Sequence, residues 1–555
     1  MFDLEQAQQF IQLLAERLTR EQPRLDKLDS AIGDGDHGST MARAFQAAAR
    51  NAASNPGDLG ALFDAVSQSI AESAGGAIGP LLAAFFAEAG SQLRGRQSAE
   101  TVDLLHFMTD SLEAMQEVGG ACPGEKTLLD SLAPAVDAFA SCQAGSLENA
   151  LQAAVTAGQL GAESTRELFA RHGRAHFLGE RSKGTPDPGA VSMSILLETL
   201  LEAVRGKQAQ PQEQSAPALK PPPGKLINDP GLMIFQDNEG LALAYPELVA
   251  LNPDGILNRK APKERGKVGL AIGHGGGHTP SMGGFIGPGL LDADVYGPLF
   301  TCASGVRITK AIQAADRGAG VALLVSNHSG DVLNARLAVR RARQLGLQVE
   351  PILLGDDIAT APRAQFAQRR GLGGLLFALK IGGAAAEMGW DLPEVVRVME
   401  RTNQRTATLA VAVGPPIHPI TGEPLFDLPA GQIEVGTGVH GEVGVYRGPH
   451  LWADELVDLL VKRLVDDLQS FPEKRLLVLL NGSGGTSRME LHILFRRVFQ
   501  NLAGCDFVIQ AGVVDSLFTT QEMGGFSLSL CALDEELSGL WEKPAAAPCF
   551  RWPRT

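Results

Sequence analysis

Ile32-Gly33-Asp34-Gly35-Asp36-His37-Gly38-Ser39-Thr40 is a glycine-rich turn with two carboxylates, and Asp29 adds a third just upstream. Mg²⁺ prefers oxygen ligands and often shares them with phosphates. Glycines and a helix start also present backbone N–H groups to a phosphate. The stretch therefore predicts a Mg²⁺-nucleotide site, with a solvated acidic turn that caps a helix as the alternative. An EF-hand is excluded, because the position that needs Glu is Phe45 when counted from Asp34.

The composition is that of a globular protein of several domains. The chain has 555 residues, of which 44% are hydrophobic and 20% charged, so two to four domains with ample core are expected. The net charge of −15 argues against nucleic acid or an anionic membrane as the main partner. It leaves room for a local basic pocket that binds phosphates.

The sequence predicts a soluble cytoplasmic protein. The first residues are acidic and lack an apolar signal core. No apolar run reaches the length of about 18 residues that a membrane span needs. Six cysteines are scattered without a Cys-x-x-Cys pair, which favours free thiols over disulfides or a zinc site.

Residues 1–204 are predicted to be helical, because apolar residues recur at helical spacing from Phe10 to Leu18 and in five later segments. Polar, glycine-rich junctions separate the helices. They are residues 33–38, 73–80, 119–127 and 179–190. A helical barrel with these loops at one end would form a phosphate-binding rim; ordinary glycine C-caps are the alternative.

A polar, proline-rich segment at residues 205–224 predicts a linker. From Lys225 onwards, short apolar runs alternate with helical patterns, which indicates an α/β domain with a largely parallel or mixed sheet at 225–555. Ligands of such sheets bind at the carboxyl ends of the strands. Three notable loops follow predicted strands there: 273–278, 327–331 and 481–486.

The first of these loops, Gly273-His274-Gly275-Gly276-Gly277-His278-Thr279-Pro280, does not fit a dinucleotide fingerprint, because its final glycine position is His278. Its glycines also oppose the helix that would let His274 and His278 share a zinc ion. We expect a backbone-lined cradle for a small polar ligand, with His278 at its rim. A tight turn with an incidental histidine is the alternative.

Two further polar residues stand out in this half of the chain. Asp331 follows a buried strand and could act as a general base, or it could simply cap a helix. His440 lies among glycines, and imidazole is a competent nucleophile toward a carbonyl. A structural role for His440 remains the alternative.

Taken together, these motifs resemble the dihydroxyacetone kinase family over nearly the whole chain. Residues 1–204 resemble its nucleotide-binding L domain through residues 28–38, 123–127, 173–175 and 178–190. Residues 225–555 resemble its substrate-binding K domain through residues 225–230, 273–280, 330–334, 380–387, 434–442 and 481–486. The resemblance implies an all-α helical barrel followed by an α/β domain of two α/β subdomains.

For the L domain, the resemblance implies that Asp29, Asp34 and Asp36 hold two Mg²⁺ ions that bridge the phosphates of ATP. It also implies a set of nucleotide contacts. These are His37, Gly38, Ser39, Thr40, Ala77, Gly119, Leu128, Arg174, Asp187, Pro188 and Gly189.

For the K domain, the resemblance implies that His440 forms a covalent hemiaminal with a ketone, that His278 hydrogen-bonds the substrate and that Asp331 accepts the proton of the attacking hydroxyl. Gly275, Gly276 and Gly277 would line the substrate pocket. Such a tether orients a small substrate and selects carbonyl compounds over polyols such as glycerol.

The chain departs from the family pattern in four respects. The L domain precedes the K domain, so the linker must let it reach a K site in its own chain or in a partner. The loop at 273–280 differs from the family's Gly-Gly-Gly-Ser-Gly-His-Glu-Pro. Ser326 stands where the family has a substrate-contacting lysine, and Ile78 replaces a serine of the L domain. The changes at the substrate pocket favour a ketose such as erythrulose over dihydroxyacetone.

We therefore expect an ATP-dependent kinase of a small hydroxyketone. A kinase that a phosphotransferase system recharges is one alternative, and a non-catalytic ketose sensor or coactivator is another. By the same resemblance we expect a homodimer formed through the K domain, with neither nucleic acid nor membrane as a partner.

Overall fold

In the computed structural model the chain is described over residues 1–33, 35–52, 57–142, 144–206, 224–419, 422–442 and 444–553. It divides into two compact units, Met1–Ala218 and Leu219–Thr555. Most of the predicted linker and the predicted metal ligand Asp34 lie outside the described residues. The domain limits 1–204 and 225–555 therefore stay predictions.

The described part of the first unit is built from α-helices. They are α1 Leu4–Ile32, α2 His37–Ala52, α3 Leu59–Ser73, α4 Ile78–Gln92, α5 Thr101–Gly119, α6 Leu129–Ser141, α7 Leu147–Ser164 and α8 Pro188–Val204. Short 3₁₀ turns at Thr165–Glu167 and Arg174–Ser182 connect α7 to α8. The apolar positions of α1 predicted from the sequence, including Phe10, Leu14 and Leu18, are buried in the core of this unit.

These helices close into a ring. Each helix packs on the next, and α8 packs on α1. Because neighbouring helices of such a barrel alternate in direction, the connections after α1, α3, α5 and α7 emerge at one end. These are the four glycine-rich junctions. At the other end a short ladder, not predicted from the sequence, pairs β1 (Phe2–Asp3) with β2 (Ser98–Ala99). The predicted all-α fold of this half is confirmed.

Two mixed sheets of six strands organise the second unit. The first contains β3 Val249–Leu251, β4 Leu257–Arg259, β5 Gly269–Gly276, β6 Ala293–Leu299, β7 Val321–Ser326 and β8 Val349–Leu354, in the order β3-β4-β6-β5-β7-β8. The second contains β9 Thr406–Gly414, β10 Gln432–Val435, β11 Tyr446–Pro449, β12 Arg475–Gly482, β13 Val508–Asp515 and β14 Gly524–Ala532, in the order β11-β10-β9-β14-β12-β13. β15 Ala545–Ala546 and β16 Arg551–Trp552 form a separate pair.

Helices cover both sheets, as predicted for an α/β domain. They are α9 Met233–Ala244, α10 Gly305–Ala315, α11 Ser329–Gln344, α12 Leu375–Glu387, α13 Leu392–Gln404, α14 Ala453–Leu468, α15 Arg488–Gly504 and α16 Glu535–Trp541. α12 is buried almost throughout and shares one apolar core with strands of both sheets. None of the helices among the described residues combines the length and apolarity needed to cross a membrane.

The two sheets differ in strand direction. β6, β5, β7 and β8 run parallel to one another, so the carboxyl ends of β5 and β7 lie side by side. The second sheet is antiparallel except for the β12–β13 pair. The argument from parallel strands therefore applies to the loops after β5 and β7. The argument does not apply to the loop after β12, whose hydrogen bonds are described below.

Candidate functional site

In the first unit, Asp29 ties the end of α1 to the start of α2. Its Oδ2 atom accepts hydrogen bonds from the backbone N–H groups of Gly35, Asp36 and His37 at 2.9, 3.0 and 3.3 Å. Three consecutive N–H groups at a helix start are the donors that a capping carboxylate satisfies. Asp29 thus fixes the turn as the capping interpretation expects, and its role as a metal ligand stays a prediction.

The carboxylates of this turn are crowded. Burial and then repulsion from Asp29 raise the pKa of Asp36 to about 8, against a smaller opposing effect of the Arg43 guanidinium. Oxygen donors that repel one another in this way are the donor set that suits a hard divalent cation. Among the described residues, no group of three or more His, Cys, Asp or Glu side chains is arranged to hold a metal ion. Asp34, the remaining predicted ligand, is not among those residues.

A second helix start lies beside this turn. Asp187 caps α8, which begins at Pro188, and its Oδ2 atom accepts a backbone N–H of the first turn at 2.7 Å. His37 Nε2 lies 3.0 Å from the hydroxyl of Ser192, which donates to the carbonyl of Gly189 at 2.9 Å. Because the hydroxyl hydrogen of Ser192 is donated to Gly189, its oxygen accepts the hydrogen bond from His37, and His37 Nε2–H is the donor. The starts of α2 and α8 are thereby joined, and two helix starts together favour an anion.

Lys126 links the loop before α6 to the connection between α7 and α8 by hydrogen bonds. Its buried ammonium donates to the carbonyls of Thr165 and Thr185, both at 2.6 Å. Burial lowers the pKa of Lys126. Burial also raises the pKa of Asp187 to about 7, although the N–H that it accepts and the nearby Lys126 favour the charged carboxylate. These contacts bring two of the predicted rim loops together.

Three predicted nucleotide contacts are engaged within the protein. Asp26 accepts both the backbone N–H and the hydroxyl of Ser39, at 2.9 and 2.8 Å. Thr40 is buried, at 2% exposure. A Cβ on Gly38 would lie 2.3 Å from the carbonyl oxygen of Gln22. Gly38 is therefore required by the close packing of α2 on α1, a reason that the sequence pattern did not indicate.

The remaining predicted nucleotide contacts lie at helix ends. Ala77 precedes α4, Gly119 ends α5, Leu128 precedes α6, and Arg174 opens the second 3₁₀ turn. Leu128 is next to Gly189, since a Cβ on that glycine would lie 3.4 Å from the Cβ of Leu128. All of these positions belong to the end of the barrel that carries the glycine-rich loops.

In the second unit, two histidines meet in a nearly closed site. Nε2 of His278 lies 3.1 Å from Nε2 of His440, and these residues are 3% and 8% exposed. The ring of His278 stacks on Phe518 at a centroid distance of 5.3 Å, and Phe300 lies against both histidines. Residues far apart in the sequence thus meet, and a small ligand at the two Nε2 atoms would be screened from water.

The other nitrogen of each ring has a fixed acceptor. Nδ1–H of His278 donates to the carbonyl of Thr519 at 2.7 Å. Nδ1 of His440 lies 3.0 Å from Glu442 Oε1, and the other carboxylate oxygen accepts the backbone N–H of His440 at 2.9 Å. Because a carbonyl and a carboxylate can only accept, both Nδ1 atoms carry hydrogen. The contact between the two Nε2 atoms therefore requires one further proton that they share.

Electrostatics place that proton on His440. Burial alone would raise the pKa of Glu442, but the facing His440, Arg370 and His328 outweigh it and hold the pKa well below its ordinary value. Burial and the positive charge of His440 lower the pKa of His278 well below 6.5. An ionised Glu442 on one side and a neutral His278 on the other favour the shared proton on His440.

A segment after β13 fixes both histidines. The hydroxyl of Thr519 donates to the carbonyl of Thr279 at 2.7 Å, beside the bond from His278 to the Thr519 carbonyl. The hydroxyl of Thr520 donates to the carbonyl of Val439, next to His440. Asn481, at the end of β12, accepts the N–H of Phe518 and donates to its carbonyl, each at 2.8 Å.

This support was not predicted. Asn481 belongs to a motif singled out in the sequence, but no role was assigned to it. Glu442 could have been found, because a carboxylate two residues after a candidate nucleophile is a natural orienting group. Nothing in the sequence from Ser516 to Gln521 signals a contact with residues about 80 and 240 positions earlier.

Asp331 lies in the first turn of α11, three residues after His328 at its N-cap. The ring of His328 meets His440 edge to face, at a centroid distance of 5.9 Å. The start of α11 therefore lies at the two histidines, and Asp331 belongs to that start. Ser326, which stands where the resemblance expects a lysine, is the last residue of β7.

The glycine loop differs from its prediction. Gly273, Gly275 and Gly276 belong to β5, so the loop begins only at Gly277. A Cβ on Gly275 would lie 2.8 Å from the backbone of Phe300, and one on Gly276 would lie 2.5 Å from Ile234. Gly277 has a φ of 92°, where its lack of a side chain is needed. At Gly275 and Gly276 the space that a side chain would take is filled by neighbouring protein atoms, and a ligand cradle lined by their backbone stays a prediction.

Comparison with known proteins identifies the family. Residues 239–549, more than half of the chain, match the Dak1 domain, and residues 31–202 match the DAK2 domain. The chain belongs to the dihydroxyacetone kinase family, with the nucleotide-type domain first and the substrate-type domain second. This confirms the resemblance drawn from the motifs.

Three similar proteins illustrate the range of this family. An L-erythrulose kinase of Pectobacterium atrosepticum is 38% identical over 330 residues, which are 59% of this chain and 56% of that protein. The dihydroxyacetone kinase from C. freundii, solved with AMP-PNP and Mg²⁺, matches with a TM-score of 0.54 at 30% identity, over 58% of this chain and 60% of the other. The dihydroxyacetone kinase operon co-activator DhaQ matches with a TM-score of 0.54 at 30% identity, over 56% of this chain and 97% of the other. The chain thus matches only about half the length of the L-erythrulose kinase.

Proposed function

We propose that this protein is an ATP-dependent kinase that phosphorylates a terminal hydroxyl of a small hydroxyketone such as erythrulose or dihydroxyacetone. The observation that carries the proposal is the contact between Nε2 of His278 and Nε2 of His440, with each Nδ1 held by a fixed acceptor. This arrangement directs Nε2 of His440 at a neighbouring base, His278, that can take its proton. It has the parts that nucleophilic catalysis needs: a nucleophile, a base and an orienting group.

The proposed first step forms a hemiaminal. The proton shared by the two Nε2 atoms passes fully to His278, which frees the lone pair of His440 Nε2. That lone pair attacks the ketone carbon, the C–N bond forms, and the π electrons of the carbonyl move to its oxygen. His278 then returns the proton to that oxygen. The attached imidazole keeps its Nδ1–H and a positive charge, which the carboxylate of Glu442 balances.

The low pKa of His278 suits this role. An imidazolium that loses its proton readily is an effective acid toward a developing alkoxide. Phe300 and Phe518 exclude water and so strengthen the pairing of Glu442 with the cationic ring. A covalent tether also supplies orientation that a ketose of three or four carbons could not obtain from contacts alone.

The proposed second step is phosphoryl transfer to the terminal hydroxyl. Asp331 accepts the hydroxyl proton as the oxygen attacks the γ-phosphorus of ATP, and the bond from that phosphorus to the β-γ bridging oxygen breaks. Asp29 and Asp36, with Asp34, would hold two Mg²⁺ ions, which neutralise charge on the transferred group.

The nucleotide would lie at the loop-bearing end of the barrel. The positive ends of the helix dipoles at His37 and Pro188 would favour its phosphates. The other proposed contacts are Gly38, Ser39, Thr40, Ala77, Gly119, Leu128, Arg174, Asp187 and Gly189. Since the backbone N–H and the hydroxyl of Ser39 are engaged inside the protein and Thr40 is buried, we propose that they contact the nucleotide after a local rearrangement.

A ketose sensor is a second candidate, and the similarity to the co-activator DhaQ favours it. A sensor could use the same histidine pair to trap a ketone. It would have no use for a nucleotide domain with converging carboxylates and helix starts, and this chain has such a domain matched to the DAK2 family. We therefore rank the kinase first. We further propose that the protein works in the cytoplasm as a homodimer formed through the K domain.

One assay separates these candidates. The purified chain is mixed with ATP, Mg²⁺ and a panel of ketoses of three to five carbons, without any phosphocarrier protein, and ADP release is followed by a coupled reaction. A kinase releases ADP only with its ketose. A chain that binds ketose by native mass spectrometry but releases no ADP would be a sensor, or an enzyme that depends on a phosphotransferase system.

A further inference from the structure

His328 occupies a position that neither proposed step uses. It is the N-cap residue of α11, with its ring half-buried at the carboxyl end of β7. Its ring packs edge to face against that of His440, at a centroid distance of 5.9 Å. Asp331 lies three residues further along the helix, and residues at that spacing share a helix face. His328 therefore lies against the proposed nucleophile and belongs to the same helix start as the proposed base.

The protonation of His328 follows from its neighbours. Its Nε2 atom lies 3.1 Å from the carbonyl of Gly371, so Nε2 carries hydrogen and donates. Among the described residues, none forms a hydrogen bond with the other ring nitrogen, Nδ1. In the neutral imidazole, Nδ1 then has a lone pair that can accept a hydrogen bond. The anchor to Gly371 keeps the ring from turning away from the site.

We infer that His328 contacts the substrate, and that its Nδ1 accepts a hydrogen bond from a hydroxyl of the ketose bound at His440. A three- or four-carbon ketose bound at His440 would lie beside this ring, which packs against His440, and the hydroxyls of its carbon chain are the donors that it brings. His328 thus selects for hydroxyketones over plain ketones. The inference rests on the proposed function, because it takes the ketose to be bound at His440.

The test compares His328→Gln with His328→Asn. Glutamine places its amide nitrogen near the position of Nε2, so the bond to Gly371 survives and the acceptor at Nδ1 is lost. Asparagine places its amide near the position of Nδ1, so an acceptor remains there, but the hydrogen bond to Gly371 is lost. Affinities for dihydroxyacetone, hydroxyacetone and acetone, which have two, one and no hydroxyls, are measured without nucleotide by calorimetry and native mass spectrometry.

In the unmodified protein each added hydroxyl should strengthen binding. His328→Gln should abolish one of these two increments, which costs about tenfold in affinity for the hydroxyketones, and should leave acetone unchanged. His328→Asn should keep both increments. An equal loss for all three ligands in His328→Gln would show a merely structural role and overturn the inference, as would unchanged increments. If the unmodified protein bound no ketose, the proposed function would fail and this inference with it.

Discussion

Nε2 of His278 lies 3.1 Å from Nε2 of His440, and the Nδ1 atom of each ring is committed to an acceptor that cannot give up a proton. The two histidines are therefore not equivalent. Glu442 stabilises a charged His440, whereas the carbonyl of Thr519 leaves His278 neutral. In the proposed mechanism that asymmetry makes His440 the nucleophile and His278 the group that moves the proton, and each of the first two predictions removes one part of it.

Replacing His440 by alanine should abolish the covalent ketose adduct. We expect the loss of adduct mass in native mass spectrometry and a drop of more than about 100-fold in ketose affinity, because the tether supplies most of the orientation of a small substrate. Nucleotide binding should be unchanged. If His440→Ala retained full activity, the assignment of a hemiaminal would be wrong.

Replacing Glu442 by glutamine should weaken ketose binding while the fold is kept. The neutral amide no longer balances the cationic ring, so we expect kcat/KM for the ketose to fall about 10- to 150-fold, the value of one charge-assisted hydrogen bond. Glu434→Gln is the matched control. Glu434 is also buried, but it accepts from Gly444 N–H and Arg447 at 2.7 and 2.6 Å rather than from His440. Equal losses in both variants would point to stability alone.

Replacing Asp331 by asparagine should separate binding from chemistry. The adduct at His440 should form as before, because Asp331 takes no part in the first step. Turnover should fall about 10²- to 10⁴-fold, the usual contribution of a general base. The adduct is followed by native mass spectrometry and turnover by ADP release. Loss of the adduct in this variant would contradict the separate roles.

His418 should make the second unit less stable in mild acid. Burial, with a smaller effect of Lys225, lowers the pKa of His418 to about 4. Between pH 4 and 6.5, His418 is protonated in the unfolded chain but neutral in the folded chain. The free energy of unfolding therefore falls as the pH drops below 6.5. At pH 5 the free energy of unfolding is lower by about 2 kcal/mol, and well above pH 6.5 this difference vanishes.

The variant His418→Gln should therefore show a weaker decline in unfolding free energy between pH 7.5 and 5 than the unmodified protein. His450→Gln, at an exposed position, serves as the control and should follow the unmodified protein. Parallel curves for His418→Gln and the unmodified protein, followed by thermal or urea unfolding, would refute the assignment.

Lys126 should support the nucleotide loops. Lys126→Met removes two bonds from a buried ammonium to the carbonyls of Thr165 and Thr185. We expect the first unit to lose about 1–3 kcal/mol of stability and its Mg²⁺-nucleotide affinity to fall, as measured by calorimetry. Lys183→Met is the control, because Lys183 is partly exposed, with its ammonium 3.7 Å from the ring centre of Phe169. A nucleotide affinity that falls equally in both variants would argue for a loss of surface charge instead.

Local patterns predicted much of both sites. The capping role of Asp29 was among the interpretations made from the sequence, because its contacts join residues within one turn and the next helix start. The α/β character of the second half and the candidates His278, Asp331 and His440 were likewise visible in short motifs. α4 was missed, because its first residues lie inside a glycine-rich junction and its sequence is apolar on most faces.

What escaped prediction depends on contacts across long separations. The role of Phe518 and Thr519 follows only from the parallel pairing of β12 with β13, which brings the end of β12 beside the segment after β13. The glycines at 275 and 276 have a function that spacing cannot reveal, because the atoms that exclude a side chain come from Ile234 and Phe300. A glycine pattern indicates that another atom approaches the backbone closely. Only the fold shows whether that atom belongs to a ligand or to the protein itself.

The support of the histidine pair by Thr519, Thr520 and Asn481 has a consequence for biosynthesis. A chain is made from its N-terminus, so His278 and His440 leave the ribosome long before the segment that orients them. Until residues 517–521 arrive, His278 lacks the Thr519 carbonyl that holds its Nδ1, and the enclosing ring of Phe518 is absent. A nascent or prematurely terminated chain should therefore be inert toward cellular carbonyl compounds, and reactivity should appear only when almost the whole protein has been synthesised.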